Sequence, residues 1–291
     1  MKKTAYALLV VLVSTCVVAG GGTAVRAGEF SIGGIVMYGW WSPFAANYLQ
    51  QLDRKMPIKT TFSMDDNSAL YGPVLSYQAT DSWKLNFTLL MALHDQFSAA
   101  SNNATFDING GLNLARTTAS HIDRYDADLR AYYTVNKYAD VFVGANLDAT
   151  KFFGGYNVIA VTMILPTFPL KGSLRSFQYD CGPGFGTKIG FDLAKNLRLD
   201  FKLSLYVTGG TLVRNIQYEK RKENIHLGFK TIEEVVLSYR IDPAGIILSV
   251  GGRYQAMTFA LLTSTPREFF TNYTTLFDQL GGVTASVSFA F

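Results

Sequence analysis

The sequence predicts an all-β chain that closes into a transmembrane, up-and-down antiparallel β-barrel. Three observations predict it. Apolar and polar residues alternate over repeated runs, the connections between runs are alternately short and long, and the chain ends on Phe291 behind a final alternating run. Composition agrees: of 291 residues 48% are hydrophobic, 14% aromatic and only 16% charged. A formal charge of +4 is too small to suggest a nucleic-acid partner. Two Cys exclude a disulfide framework, and with three His neither a metal nor a cofactor is expected.

Residues 1–27 read as an export signal, with Lys2 and Lys3 ahead of an apolar run and Val25-Arg26-Ala27 as a cleavage region. Removing them leaves a nearly neutral chain, 28–291, with Cys181 alone. That remainder is assigned wholly to the barrel. It has no run of eighteen apolar residues that could cross a membrane as a helix.

Ten strands are predicted: 29–41, 68–78, 83–93, 125–136, 141–153, 181–193, 197–208, 233–241, 246–259 and 281–291. The first ends on the aromatic cluster Tyr38, Trp40 and Trp41. The second and third are joined by the short turn 79–82, with Tyr77 and Trp83 at its ends. In the third, Trp83, Leu85, Phe87 and Leu89 alternate with Lys84, Asn86 and Thr88. In the fourth, Tyr125, Ala127 and Leu129 alternate with Asp126, Asp128 and Arg130. Turning three charges toward lipid would cost several kcal/mol, so the polar set must face the lumen. Turns at 136–140 and 194–196 lead into the fifth and seventh strands, and 197–208 is the cleanest alternation of all. The turn 242–245 leads into the ninth strand. In the last, Val283, Ala285, Val287, Phe289 and Phe291 share one face, the pattern by which an outer-membrane assembly machinery would recognise the chain.

Long connections fall at 42–67, 94–124, 154–180, 209–232 and 260–280, all at one end. That asymmetry belongs to a barrel in a bacterial outer membrane, with long loops outside and both termini periplasmic.

Three segments carry a family resemblance. Tyr77-Gln78-Ala79-Thr80-Asp81-Ser82-Trp83 resembles the equivalent strand–turn–strand junction of OmpW-type barrels. Phe142-Val143-Gly144-Ala145-Asn146-Leu147-Asp148-Ala149-Thr150-Lys151-Phe152-Phe153 and Gly184-Phe185-Gly186-Thr187-Lys188-Ile189-Gly190-Phe191-Asp192 are similar to other strands of that family. The resemblance implies a barrel of eight strands, the fallback to the ten counted, and passage of small hydrophobic molecules across the outer membrane.

By parity, the lumen carries Lys84, Asp126, Asp128, Arg130, Asp148, Lys188, Asp192, Arg198, Asp200, Lys202, Arg240 and Arg253. Near the long-loop end, Ile35, Met37, Trp41, Leu70, Val74, Leu90 and Met257 point inward and are expected to form an apolar upper pocket. Above them, Tyr156, Ile159, Met163, Ile164, Leu165 and Phe168 belong to an uncharged segment expected to be a loop gating that pocket. The expected function is passive uptake of a small apolar solute. The alternative is a surface adhesin, its loops binding host extracellular molecules and its barrel a mount. No enzymatic activity is expected. A ten-stranded barrel with His and Asp at its rim resembles the omptin proteases, but His94-Asp95 and His121-Ile122-Asp123 lack that family's Asp-x-His spacing.

Overall fold

A computed structural model describes residues 28–42, 66–98, 102–106, 112–161, 168–216, 222–242, 244–262 and 275–291. Its strands are β1 (Phe30–Ser42), β2 (Asp66–Gln78), β3 (Trp83–Ser98), β4 (Asn102–Phe106), β5 (Leu112–Asn136), β6 (Ala139–Val161), β7 (Phe168–Ala194), β8 (Leu197–Ile216), β9 (Lys222–Ile241), β10 (Ile246–Leu262) and β11 (Thr275–Ala290). Every strand pairs antiparallel with its neighbour, β1 pairs with β11, and β3 pairs with β5. The sheet thus closes into an up-and-down barrel of ten strands. The short β4 lies outside the ring, paired only to the start of β5. Ten, not the eight of the family resemblance, is the strand number.

Tilt is visible in the register. Trp83 faces Tyr133, which faces Val141, then Thr187, Leu203, Glu233, Tyr254, Gly281 and Trp40 in turn. This path climbs from an aromatic pair at the short-turn rim, Trp83–Tyr133, to another near the opposite rim, Trp40–Tyr254. Between these girdles the outward side chains are exposed and apolar, among them Val143, Phe185, Leu203, Phe229 and Val283, as a lipid-facing belt requires. One residue breaks the pattern. Glu233 points outward midway along the path, exposed, between Leu203 and Tyr254.

The short turns close by local chemistry. Thr80 Oγ1 accepts from the backbone N–H of Ser82 and Trp83, and Asn136 Oδ1 accepts from those of Tyr138 and Ala139. At the seam, Phe291 and Phe30 exchange backbone hydrogen bonds of 2.9 and 3.3 Å. Phe289 pairs with Ile32 and Ile246, while the Phe291 ring remains 72% exposed at the rim.

The long connections are shorter than the sequence suggested. β6 and β7 run through most of the expected gating loop: Tyr156 pairs with Gly172, Ile159 with Pro169 and Ala160 with Phe168. Tyr156, Ile159 and Phe168 are therefore strand residues. Lack of charge in this stretch reflects cross-strand pairing of β-formers such as Val158 and Ile159 rather than a folded-down loop. Met163, Ile164 and Leu165 lie outside the described residues, as do the expected export signal 1–27 and most of 42–67. β8 and β9 likewise consume most of 209–232.

A local weakness occurs twice. The β2–β3 ladder skips from Tyr71–Met91 to Val74–Thr88, leaving out Gly72 and Pro73. Pro73 has no N–H to give, and a Cβ at Gly72 would collide with the Leu89 carbonyl oxygen. Gly182-Pro183 interrupts β7–β8 in the same way, against the Val207 carbonyl.

Candidate functional site

The lumen has two unlike walls. Strands β1–β3 present Ile35, Met37, Trp41, Leu70, Val74 and Leu90 inward. Met37, Trp41, Leu70 and Leu90 are fully buried, and Met257 on β10 nearly so. Strands β5–β11 present charge. Alternation places Arg124, Asp126, Asp128 and Arg130 on one face of β5, and the same rule turns Lys230 and Glu234 of β9 toward them.

These charges pair across the lumen in tiers. Arg130 bonds Asp128 and lies 3.0 Å from Glu234, which also takes Arg253 at 2.8 Å and Lys202 at 3.4 Å. The Tyr206 hydroxyl donates to Asp128 at 2.7 Å and accepts from Arg130 at 3.2 Å. One tier further from the short turns, Lys230 meets Asp148 and Asp126 and donates to Asn146 at 2.7 Å. Arg124 then bridges Asp148 at 3.5 Å to Asp278 at 2.9 Å, with its guanidinium 4.7 Å over the Trp41 ring. Trp41 Nε1 donates to Asp278 at 3.2 Å. Beyond these, buried His226 bonds Asp180, which accepts from Gln178 at 2.6 Å, and the imidazole packs at a tilt against Phe259. Among the described residues Arg124, Asp126, Asp128, Arg130, Asp148, Lys230 and Arg253, all buried, each meet an opposite charge, the condition on which ions persist away from water.

The expected apolar upper pocket is thus filled rather than open among the described residues. Its side chains pack against the Arg124–Asp278 tier, and Trp41 is part of that tier. Open space lies nearer the short turns, in a cavity of about 200 Å³. Ile35 and Val74 line it together with Lys84, Asp128, Arg130, Lys188, Asp200, Lys202 and Arg253. Asp192 and Arg240 sit at the short-turn rim instead. Asp192 pairs with Arg198 at 3.0 Å and is largely solvent-exposed, and Arg240 pairs with Asp242 at 3.2 Å. Sequence reasoning missed Arg124, Asp180, Tyr206, His226, Lys230, Glu234 and Asp278. Parity would have found Arg124 had the fourth strand been extended upward. Asp180, His226, Lys230 and Asp278 fell in segments assigned to loops, and the adjacent pair Glu233-Glu234 hid which carboxylate turns inward.

A closed, antiparallel barrel with an apolar outer belt between aromatic girdles and a charged interior defines an outer-membrane β-barrel. Comparison with solved structures agrees on the fold. The chain is similar to the outer membrane protease OmpT from Escherichia coli, with a TM-score of 0.54 and 9% identity over 93% of this chain and 99% of that one. More distant are the toluene transporters TbuX of Ralstonia pickettii, at 0.33 and 9% identity over 91% and 90%, and TodX of P. putida, at 0.27 with the same identity and coverage. The last two scores are too low to carry an argument. No family model matches the chain, and no curated protein matches it. The barrel and its neighbour support a bacterial outer-membrane location. They also correct one expectation: absence of enzymatic activity does not stand, because a barrel of this fold carries a protease in OmpT.

Proposed function

We propose that this barrel takes up small apolar solutes across the outer membrane, by way of its inner β1–β3 wall and out sideways into the bilayer. One observation carries this reading: the apolar wall ends on the interrupted ladder at Gly72-Pro73, flanked by Leu70, Val74 and Leu90. An axial path for such a solute would cross the Arg124 and Arg130 tiers, where displacing an ion from its partner costs several kcal/mol. Sideways exit avoids that cost. The equivalent interruption of the ladder at Gly182-Pro183 borders Tyr206 and Asp180 and offers no apolar approach. Long connections face outside, both termini are periplasmic, the belt contacts outer-membrane lipid, and Phe291 with Phe289 engages the assembly machinery. Liposome flux of an apolar solute through the refolded barrel tests the route. Met37→Asp should lower flux at least tenfold while leaving a folded barrel, and Lys202→Gln should leave it within about twofold. The opposite ranking would indicate an axial polar pore.

A second reading has its own observation. β5, β6 and β7 are 25, 23 and 27 residues long, whereas about 9–11 residues span a bilayer. The surplus forms a tall external wall suited to binding host extracellular molecules. Absence of flux in the parent barrel, with saturable binding to matrix proteins, would favour it.

A further inference from the structure

The cavity at the short-turn end meets the apolar route only at its Ile35 and Val74 edge, and its charges do not balance. Three ammonium groups reach it, from Lys84, Lys188 and Lys202. Lys188 is held by Asp140 at 2.5 Å and Lys202 by Glu234 at 3.4 Å. The cavity's remaining carboxylates are committed too. Asp200 binds Arg198 at 2.9 Å, and Asp128 binds Arg130. Lys84 has no ion pair or hydrogen bond among the described residues. A lone cation in a low-dielectric barrel wall is unfavourable unless an anion joins it.

The lining also carries serine hydroxyls able to donate. Ser31 and Ser76 share one bond of 2.7 Å, and Ser238 and Ser249 share another of 2.9 Å, so each pair leaves one hydroxyl proton free to donate. Ser286 and Ser288 face the same space. We propose that this cavity is a binding site for a small oxyanion, a phosphate or a short carboxylate, entering from the short-turn side and held by Lys84 with the serine hydroxyls. The volume is about 200 Å³, well above the roughly 10–15 Å³ that one water needs on the same measure. That admits such an ion.

The test is calorimetric titration of the refolded mature chain in neutral detergent micelles, with inorganic phosphate and acetate in separate arms. Saturable binding of either ion, weakened at least tenfold in Lys84→Gln and retained in Lys84→Arg, is the expected result. Lys137→Gln, on the β5–β6 turn outside the cavity, should bind like the parent. Absence of saturable binding in both arms would overturn the proposal. So would equal binding by Lys84→Gln, or loss in Lys84→Arg with the barrel intact by its heat-dependent gel mobility.

Discussion

Arg124 illustrates how a charge is kept inside a membrane barrel. Its guanidinium meets Asp278 and Asp148 and lies over Trp41, so replacing it takes a cation from both buried carboxylates, of which Asp148 keeps Lys230. Arg124→Met should cost about 3–5 kcal/mol of stability, measured by urea unfolding in lipid vesicles. The double variant Arg124→Met with Asp278→Asn should recover part of that loss. Glu233 is the converse case, a carboxylate facing lipid with no partner among the described residues. Glu233→Leu should stabilise the barrel by about 1–2 kcal/mol, less than the depth-dependent penalty of a basic residue. A loss of stability on that substitution would mean that the carboxylate has a partner in the membrane.

At the level of single strands, β8 offers the sharpest test of parity. Leu203 points outward and is 54% exposed to the belt, whereas Lys202 beside it points into the lumen. Leu203→Arg should cost about 2–4 kcal/mol near the midplane. Lys202→Leu should cost distinctly less, since Glu234 keeps Arg130 and Arg253. Urea midpoints of the two refolded variants decide it. The same alternation explains what was legible in the sequence. Strand ends at the short turns were read to within two residues, because Thr80 and Asn136 close their turns by local hydrogen bonds that composition announces. Of the opposite ends, only those of β1 and β2 were. β5 begins at Leu112 and β7 at Phe168 because partner strands supply the hydrogen bonds, and pairing between distant segments leaves no local signature. Inward positions such as Asp126 and Leu90 followed from parity. Which charges would meet did not, since Arg124 and Asp278 are brought together only by closure of the ring.

Across the whole molecule, two opposed walls organise the half of the barrel away from the short turns: an apolar one on β1–β3 and a charged one on β5–β11. Membrane orientation is open to direct labelling. In a Cys181→Ser background, Lys222→Cys should react with an impermeant thiol reagent on intact cells, and Asn196→Cys only after the outer membrane is opened. Equal labelling of Asn196→Cys on intact cells would invert the orientation. The central claim, sideways passage of an apolar solute between β2 and β3, is tested most directly by locking that seam. Val74 and Thr88 face each other across it, so Val74→Cys with Thr88→Cys, again without Cys181, can place a disulfide beside Gly72-Pro73. Apolar flux into liposomes should fall at least tenfold on oxidation and return on reduction. Undiminished flux through the oxidised, cross-linked barrel would contradict the route.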